Sequence, residues 1–280
     1  MVDEHGIPRA KRTVFFVSDR TGITAETLGH SLLTQFDVAF EQVTLPFVDN
    51  PSRARKVVEQ VNRLTTQGQD RPIIFSTVVQ DDVRELLRDA NAAFFDFFDA
   101  FISPLEQELG MRSSHTVGQA HGQGDTKDYS ARIDAMNFAL NHDDGITTRQ
   151  YSKADVIIVG VSRTGKTPVS IYLAMQYGIF AANYPLTEED LLKGGVPDIL
   201  KPYRSKLFGL TIRPERLQSI RGERRPNSRY ASLQQCQMEV MRAEAMFNRE
   251  KIGFVNSTNV SIEEIATTIV HQCGLKRRIY

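Results

Sequence analysis

Two adjoining stretches decide the expected fold of this 280-residue chain: Asp155-Val-Ile-Ile-Val159 and, directly after it, Gly160-Val-Ser-Arg-Thr-Gly-Lys-Thr167. The short apolar run predicts a buried strand. The pattern from Thr167 to Tyr177 predicts a helix that ends at Gly178. Between strand and helix, the spacing G-x-x-x-x-G-K-[ST] fits at every fixed position, which is typical of a loop that binds nucleotide phosphates.

Each residue type in this loop has a physical role in phosphate binding. Gly160 and Gly165 permit backbone conformations and a close approach that a Cβ atom would block, so successive N–H groups can face phosphate oxygens. Lys166 would bring a positive charge to the terminal phosphates, and the Thr167 hydroxyl would hold Mg²⁺. We therefore expect Lys166 to be catalytic and the nucleotide to be bound by Gly160, Val161, Ser162, Arg163, Thr164, Gly165, Lys166 and Thr167.

Strand and helix patterns alternate on both sides of the loop. This alternation predicts an α/β fold of mainly parallel sheets flanked by helices, with a C-terminal half like that of the P-loop NTPases. We place a boundary between residues 1–147 and 148–280, which separates either two domains or two halves of one sheet. The other expected strands cover residues 13–17, 40–45, 72–76, 179–183, 206–212 and 253–256.

The overall composition limits the class of partner. Lys and Arg together number 34, as do Asp and Glu, so the formal net charge is zero. This balance removes the simplest electrostatic reason to expect nucleic-acid or membrane binding. No apolar run approaches the ~18 residues of a membrane span, and the two cysteines suggest a reducing compartment. We therefore expect a cytoplasmic protein.

The expected Mg²⁺ site lacks an obvious acidic ligand. No clean apolar strand ending in Asp follows the loop, and Asp190 and Asp198 lie in polar, turn-like surroundings. The metal site is therefore either unconventional or completed by an acid from the N-terminal half.

A second loop repeats part of the first. Ser18-Asp-Arg-Thr-Gly-Ile-Thr24 contains the same Arg-Thr-Gly-x-Thr pattern after an apolar run, with Ile23 in the position of Lys166. One hypothesis is a site for phosphate or a phosphorylated target, bound by Arg20, Thr21 and Gly22, with Asp19 as a base or metal ligand. The alternative is an ordinary strand-to-helix turn capped by Thr24. Both interpretations stay open.

The stretch from 109 to 128 has no clear periodicity and carries four candidate side chains. Acid–base catalysis or binding of a transferred phosphoryl group is one interpretation, for which His121 and Asp125 are the catalytic candidates. Solvated polar surface is the favoured alternative, since no fixed spacing specifies the chemistry. The four residues are His115, His121, Asp125 and Asp128.

Six arginines crowd the stretch from 213 to 229. Nucleotide kinases commonly bring arginines to the transferring phosphates. We therefore expect Arg221 and Arg225 to bind phosphate or the target. A solvated basic loop or a docking surface is the alternative.

Several motifs together resemble one family, the bacterial phosphoenolpyruvate synthase and pyruvate,phosphate dikinase regulatory proteins. The resemblance covers nearly the whole chain, and the combination of two Arg-Thr-Gly segments is its most specific part. The motifs are Ser18-Asp-Arg-Thr-Gly-Ile-Thr-Ala-Glu26, Tyr129-x-x-Arg132-Ile-Asp134, His142-Asp-Asp-Gly145, Gly160-Val-Ser-Arg-Thr-Gly-Lys-Thr-Pro168 and Ile220-Arg-Gly-Glu-Arg-Arg225.

The resemblance implies a bifunctional serine/threonine kinase and phosphorylase. It would use ADP to phosphorylate and inactivate its target at a threonine, and inorganic phosphate to remove the group with release of pyrophosphate; Mg²⁺ is the expected metal. Gly165 stands where the dikinase branch has serine, which favours phosphoenolpyruvate synthase as the target. A homodimer is left open. The alternatives are a small-molecule P-loop kinase and a non-catalytic, nucleotide-sensing docking module.

Overall fold

The computed structural model describes residues 12–66, 70–114, 126–145 and 147–279. The candidates His115, His121 and Asp125 lie outside these ranges, and the side chain of Asp128 is not described. The chain divides into two compact units, Met1–Gln123 and Gly124–Tyr280.

The first unit is built on one four-stranded sheet of order β2-β1-β3-β4 in which all strands are parallel. Apolar side chains of α2, among them Ala54, Val57 and Val61, are buried, as an amphipathic helix on a sheet requires. The elements are β1 (Arg12–Val17), α1 (Ile23–Leu33), β2 (Phe40–Leu45), α2 (Pro51–Thr66), β3 (Ile73–Ser76), α3 (Asp81–Arg88), β4 (Ala93–Asp96) and α4 (Phe97–Leu109).

The second unit also has a four-stranded parallel sheet, of order β6-β5-β7-β8. Its elements are α5 (Thr126–Asn141), β5 (Val156–Gly160), α6 (Lys166–Tyr177), β6 (Ala181–Pro185), α7 (Glu188–Lys193), β7 (Leu207–Thr211), α8 (Pro214–Arg224), α9 (Leu233–Glu250), β8 (Phe254–Asn256) and α10 (Ile262–Gln272). Short 3-10 helices cover Asp143–Gly145, Tyr151–Lys153, Asp198–Lys206 and Arg229–Ala231.

Helix α5 explains where the division between the units falls. The sequence placed the boundary at residues 147 and 148, which would leave this helix with the N-terminal region. In the structure Ala135 and Ala139 of α5 pack against Ala174 of α6 in a small apolar cluster. These small side chains let the two helices approach closely, so α5 belongs to the second unit.

Both sheets follow the same path, which confirms the expected α/β class with parallel sheets and flanking helices. In each unit the first strand lies between the second and the third, and the fourth lies beyond the third. In open α/β sheets, ligands bind at the carboxyl ends of the strands where the strand order reverses. That position is the loop after β1 in one unit and the loop after β5 in the other. Within the described residues, no helix combines the length and apolar character needed to traverse a membrane.

Candidate functional site

The loop after β5 depends on its two glycines for different reasons. Gly160 is buried at the end of β5, where a Cβ atom would lie 2.3 Å from the Leu210 carbonyl oxygen and 3.0 Å from Thr164 Oγ1. Gly165 caps the start of α6 with φ of 94°, in the left-handed region. Because Gly165 offers no side-chain cap, the first N–H groups of α6 stay available to an anion.

Protein donors hold the carbonyl groups of this loop in place. The Val161 oxygen accepts from Thr164 Oγ1 at 3.1 Å, and the Thr164 oxygen accepts from Ser257 Oγ at 2.9 Å. The Ser162 oxygen accepts from Arg221 at 3.1 Å. Fixing the carbonyls in this way fixes the peptide planes, so the loop is organised before a ligand arrives.

Lys166 is folded back over the loop. Its side chain is almost fully buried, and its Nζ donates to the Val161 carbonyl oxygen at 3.0 Å. Burial lowers the pKa of Lys166 to about 8, an effect that the nearby carboxylates of Asp144 and Asp143 partly offset. The structure thus places within the glycine-rich loop an amino group whose pKa is about 8.

The Thr167 hydroxyl contacts an acid that sequence reasoning did not single out. Thr167 Oγ1 donates to Asp143 Oδ1 at 2.8 Å. Asn183 of β6, which is fully buried, donates from its Nδ2 to the same carboxylate oxygen. The sequence signal was His142-Asp-Asp-Gly145, which by itself indicates only a turn. Asp143 and Asn183 therefore join the site residues.

Arg221 lies against the glycine-rich loop, where its side chain contacts the loop backbone. Its side chain is fully buried: besides the Ser162 oxygen it contacts Glu239 Oε2 at 2.7 Å and the Tyr230 carbonyl oxygen at 3.1 Å. The guanidinium also lies 4.2 Å from the centre of the Tyr230 ring, and the Tyr230 hydroxyl is 2.9 Å from Ser162 Oγ. With these partners, the Arg221 guanidinium holds the loop backbone at Ser162; its contact with phosphate or the target stays a prediction.

Arg225 lies at the end of α8 with an exposed side chain. Its backbone N–H donates to the Arg221 carbonyl oxygen at 2.9 Å. None of its described hydrogen bonds or ion pairs reaches the loop, so its contact with phosphate or the target stays a prediction.

The loop after β1 has a buried acid and an exposed arginine. Asp19 is buried, and its Oδ2 accepts from the Val79 N–H, beyond β3, at 3.0 Å. Burial raises the pKa of Asp19, although the Val79 hydrogen bond and the Arg20 charge work against this. Arg20 and Thr21 are exposed at the same end of the sheet.

The two loops match in length and in the conformation of their last glycine. Four residues separate the last strand residue, Val17 or Gly160, from a left-handed glycine that caps the next helix. The glycines are Gly22, with φ of 83°, and Gly165, with φ of 94°. The repeated sequence pattern thus falls at equivalent places in two sheets of the same strand order. The difference lies at the next residue, where Ile23 is 60% exposed and Lys166 is 4% exposed.

Fold and site together define an α/β protein with matching glycine-containing loops at the carboxyl ends of its parallel sheets. The sequence profile of the kinase/pyrophosphorylase family matches residues 14–270. The chain belongs to this family.

Several relatives align with the chain along nearly its whole length. A protein of Alkalilimnicola ehrlichii is 60% identical over 271 residues, which cover 97% of this chain and 99% of the relative. A protein of Halorhodospira halophila is 57% identical over 269 residues (96% and 98%), and one of Legionella pneumophila strain Lens is 55% identical over 270 residues (96% and 100%). All three are described as candidate phosphoenolpyruvate synthase regulatory proteins.

Proposed function

We propose that this chain transfers a phosphoryl group from ADP to a threonine of phosphoenolpyruvate synthase and also removes that group with inorganic phosphate. Membership of the kinase/pyrophosphorylase family supports both directions, and the names of the relatives support the target. One observation carries the proposal: buried Lys166, the Thr167 hydroxyl and the start of α6 converge on one pre-organised loop. The proposal keeps the cytoplasmic location that the sequence led us to expect.

In the kinase direction, the threonine oxygen of the target attacks the β-phosphorus of ADP. The bond from that phosphorus to the bridging oxygen breaks, AMP leaves with the electron pair, and the hydroxyl proton passes to a base. The backbone of residues 160–167 would hold the phosphates, with Lys166 beside the developing negative charge. Mg²⁺ at the Thr167 hydroxyl would supply further charge neutralisation.

In the phosphorylase direction, an oxygen of inorganic phosphate attacks the phosphorus of the phosphothreonine. The bond to the threonine oxygen breaks, pyrophosphate forms, and that oxygen takes up a proton. This direction requires a place for a second anion. We assign it to the loop after β1, where Arg20, Thr21 and Gly22 lie at the start of α1 and Asp19 is the candidate base. The support is the match between this loop and the one at residues 160–167.

Mass spectrometry of phosphoenolpyruvate synthase after incubation with this protein and ADP tests the kinase activity. We expect one phosphorylated threonine and loss of synthase activity. Lys166→Ala abolishes the label, whereas Lys193→Ala, which removes an exposed lysine paired with Glu189, leaves it intact. If phosphoenolpyruvate synthase and pyruvate,phosphate dikinase both stay unmodified with ADP, the proposed kinase activity is refuted. If pyruvate,phosphate dikinase alone is labelled, the kinase activity stands and only the proposed target is wrong.

The phosphate dependence of dephosphorylation tests the second loop. Arg20→Ala should raise the phosphate concentration needed for half-maximal rate by about tenfold, the loss of one charge-assisted contact of roughly 1.4 kcal/mol. Arg63→Ala, on the exposed face of α2, serves as the matched control. Unchanged phosphate dependence in a folded Arg20→Ala variant would leave the loop as an ordinary turn.

A further inference from the structure

The turn that precedes β5 is held in an unusual backbone conformation by one buried side chain. Asp144 has φ of 46°, in the left-handed region, and its N–H donates to Asn183 Oδ1 at 2.9 Å. The Asn183 N–H donates to the His142 carbonyl oxygen at 3.1 Å, and the Asn183 Nδ2 donates to Asp143 Oδ1. A single residue of β6 thus fixes three successive residues of the turn.

This arrangement aims the Asp143 carboxylate at the loop. Thr167 Oγ1 donates its only proton to Asp143 Oδ1 at 2.8 Å, so the lone pairs of that hydroxyl stay available to a cation. Carboxylate and hydroxyl oxygens are hard ligands of the kind that Mg²⁺ binds. Both side chains are partly buried, and the Asp143 carboxylate lies near enough to the Lys166 ammonium to raise the pKa of that lysine.

The two aspartates that follow the loop, Asp190 and Asp198, make other contacts. Asp190 closes the capping box of α7, where its Oδ2 accepts from the Thr187 N–H at 3.0 Å and from the Tyr184 hydroxyl at 3.2 Å. Asp198 is exposed and pairs with Lys201 at 2.6 Å. Asp143 is therefore the carboxylate that the structure brings to the Thr167 hydroxyl.

We propose that Asp143 is the protein carboxylate that, with Thr167, holds the divalent cation of the bound nucleotide, and that Asn183 is its positioning residue. This inference rests on the proposed function. No cluster of three His, Cys, Asp or Glu occurs in the part of the chain that the structure describes. That fits Mg²⁺, which is commonly held by one or two carboxylates together with substrate phosphates and waters.

Calorimetric titration with ADP at a series of Mg²⁺ concentrations tests the proposal on the full-length protein. In Asp143→Asn, the Mg²⁺ concentration that half-maximally strengthens ADP binding should rise by at least about tenfold, while metal-free ADP affinity changes little. Asn183→Ala should shift the same midpoint by about tenfold through misplacement of the carboxylate. Asp198→Asn removes an equal charge from an exposed ion pair and leaves the midpoint unchanged.

Paramagnetic resonance of Mn²⁺ in the presence of ADP gives a second readout that does not depend on turnover. In Asp143→Asn, the signal of protein-bound Mn²⁺ should be absent at Mn²⁺ concentrations where the wild type still shows it. Should Asp143→Asn fail to fold, as judged by circular dichroism, Asp143→Glu keeps the charge and moves it by one methylene, and we expect it to weaken the Mg²⁺ effect measurably.

Three results would overturn the inference. An unchanged Mg²⁺ midpoint in folded Asp143→Asn does so, as does loss of the Mg²⁺ effect in Asp144→Asn instead. In both cases ADP still binds the wild type, so the proposed function survives. A wild-type protein that binds no ADP at all removes the proposed function and this inference together.

Discussion

Arg221 and Glu239 form a buried ion pair that is tied directly to the glycine-rich loop. Arg221 Nη2 lies 2.7 Å from Glu239 Oε2, and the same nitrogen donates to the Ser162 carbonyl oxygen at 3.1 Å. Gln235 Nε2 donates to the other carboxylate oxygen of Glu239 at 2.9 Å. The pair therefore couples α8 and α9 to the backbone of the loop.

Removing one partner of this pair should be costly. We expect Glu239→Gln to lower the free energy of unfolding by about 3–5 kcal/mol, because it leaves the Arg221 charge buried without its carboxylate. Urea denaturation monitored by circular dichroism measures this change. The matched control is Arg229→Ala, which breaks an exposed ion pair to Glu188 and should cost less than about 1 kcal/mol. Equal effects of the two variants would contradict a buried role for the pair.

Binding of ADP should be coupled to protonation of Lys166. Its pKa of about 8 in the free protein means that much of the side chain is neutral above that pH. A bound phosphate favours the ammonium form, so at about pH 8.5 binding should take up roughly half a proton or more. Calorimetry in buffers of different ionisation enthalpy measures this uptake.

Lys166→Met, which keeps the apolar stem without the charge, is the control for this prediction. The variant should show no uptake. The folded pKa of Lys166 lies below its unfolded value of 10.5, so the unfolded state binds more protons between about pH 8 and 10.5. Wild-type stability should therefore rise with pH across that window, and the rise should be smaller in Lys166→Met. An equal dependence of stability on pH in the two proteins would assign the titration to a group other than Lys166.

Alanine at Gly160 and alanine at Gly222 should have opposite effects on stability. At Gly160 the new Cβ atom would lie 2.3 Å from the Leu210 carbonyl oxygen, a backbone atom that cannot rotate away. We expect a loss of about 1–3 kcal/mol together with weaker ADP binding. Gly222 lies inside α8 with open space around it, so alanine there should stabilise the protein by about 0.5–1 kcal/mol. Chemical denaturation of both variants measures the two changes in the free energy of unfolding.

Asparagine in place of Asp19 should stabilise the protein at neutral pH. Burial raises the pKa of this carboxyl, so its ionised form is unfavourable in the fold. Asparagine removes the charge and can still accept from the Val79 N–H. We expect the melting temperature at pH 7 to rise by about 2–4 °C, the effect of roughly 1 kcal/mol.

The pH dependence of this gain provides the check. Because the folded pKa is raised, wild-type stability falls as pH rises from 3.8 through the folded value. The advantage of Asp19→Asn should therefore vanish below that window, where the carboxyl is protonated in both states. Asp37→Asn, an exposed position, should change the melting temperature little at either pH. A gain that persists in acid would point to a cause other than charge.

Local signals made the region around the loop predictable. These signals depend only on residues that are close in sequence. They are the uninterrupted apolar run, the two glycines at fixed spacing and Gly178 at the end of the helix. The structure accordingly begins α6 at Lys166 and ends it at Tyr177, with Gly178 in the left-handed conformation. The capping box of Ser261 and Glu264 likewise marks the start of α10.

Elements whose patterns are mixed were not predicted. Strand β4 and helix α4 divide the phenylalanine-rich stretch from residue 94 to residue 101. The change occurs at Asp96, whose carboxylate accepts from the Phe98 and Asp99 N–H groups. Nor did the arginine-rich stretch predict α8, which begins with Pro214 in its first turn, where proline is well tolerated. In both places one local residue, Asp96 or Pro214, marks the start of the helix, and the spacing of apolar side chains does not reveal it.

Asp143, the acid beside Thr167, falls within residues 1–147, from which one of the two expectations drew an acidic ligand, but no sequence pattern pointed to this residue. Asp143 lies 24 residues before Thr167 and 40 before Asn183. Thr167 follows β5 and Asn183 lies within β6 opposite Ile158, so the parallel pairing of the two strands brings both residues near the turn that carries Asp143. A search after the loop could not find this acid, because it precedes the strand that leads into the loop.

Strand β6 lies at the edge of its sheet, so the two parts of the site, the loop and the Asp143 turn, should differ in local stability. Strand β5, which leads into the loop, lies inside the sheet and pairs with β6 on one side and β7 on the other. Among the residues that the structure describes, the strand of Asn183 pairs only with β5. Edge strands open at lower free energy than central ones. Brief detachment of β6 would release the Asp143 carboxylate while residues 160–167 keep their shape. Hydrogen exchange should therefore be faster in β6 than in β5.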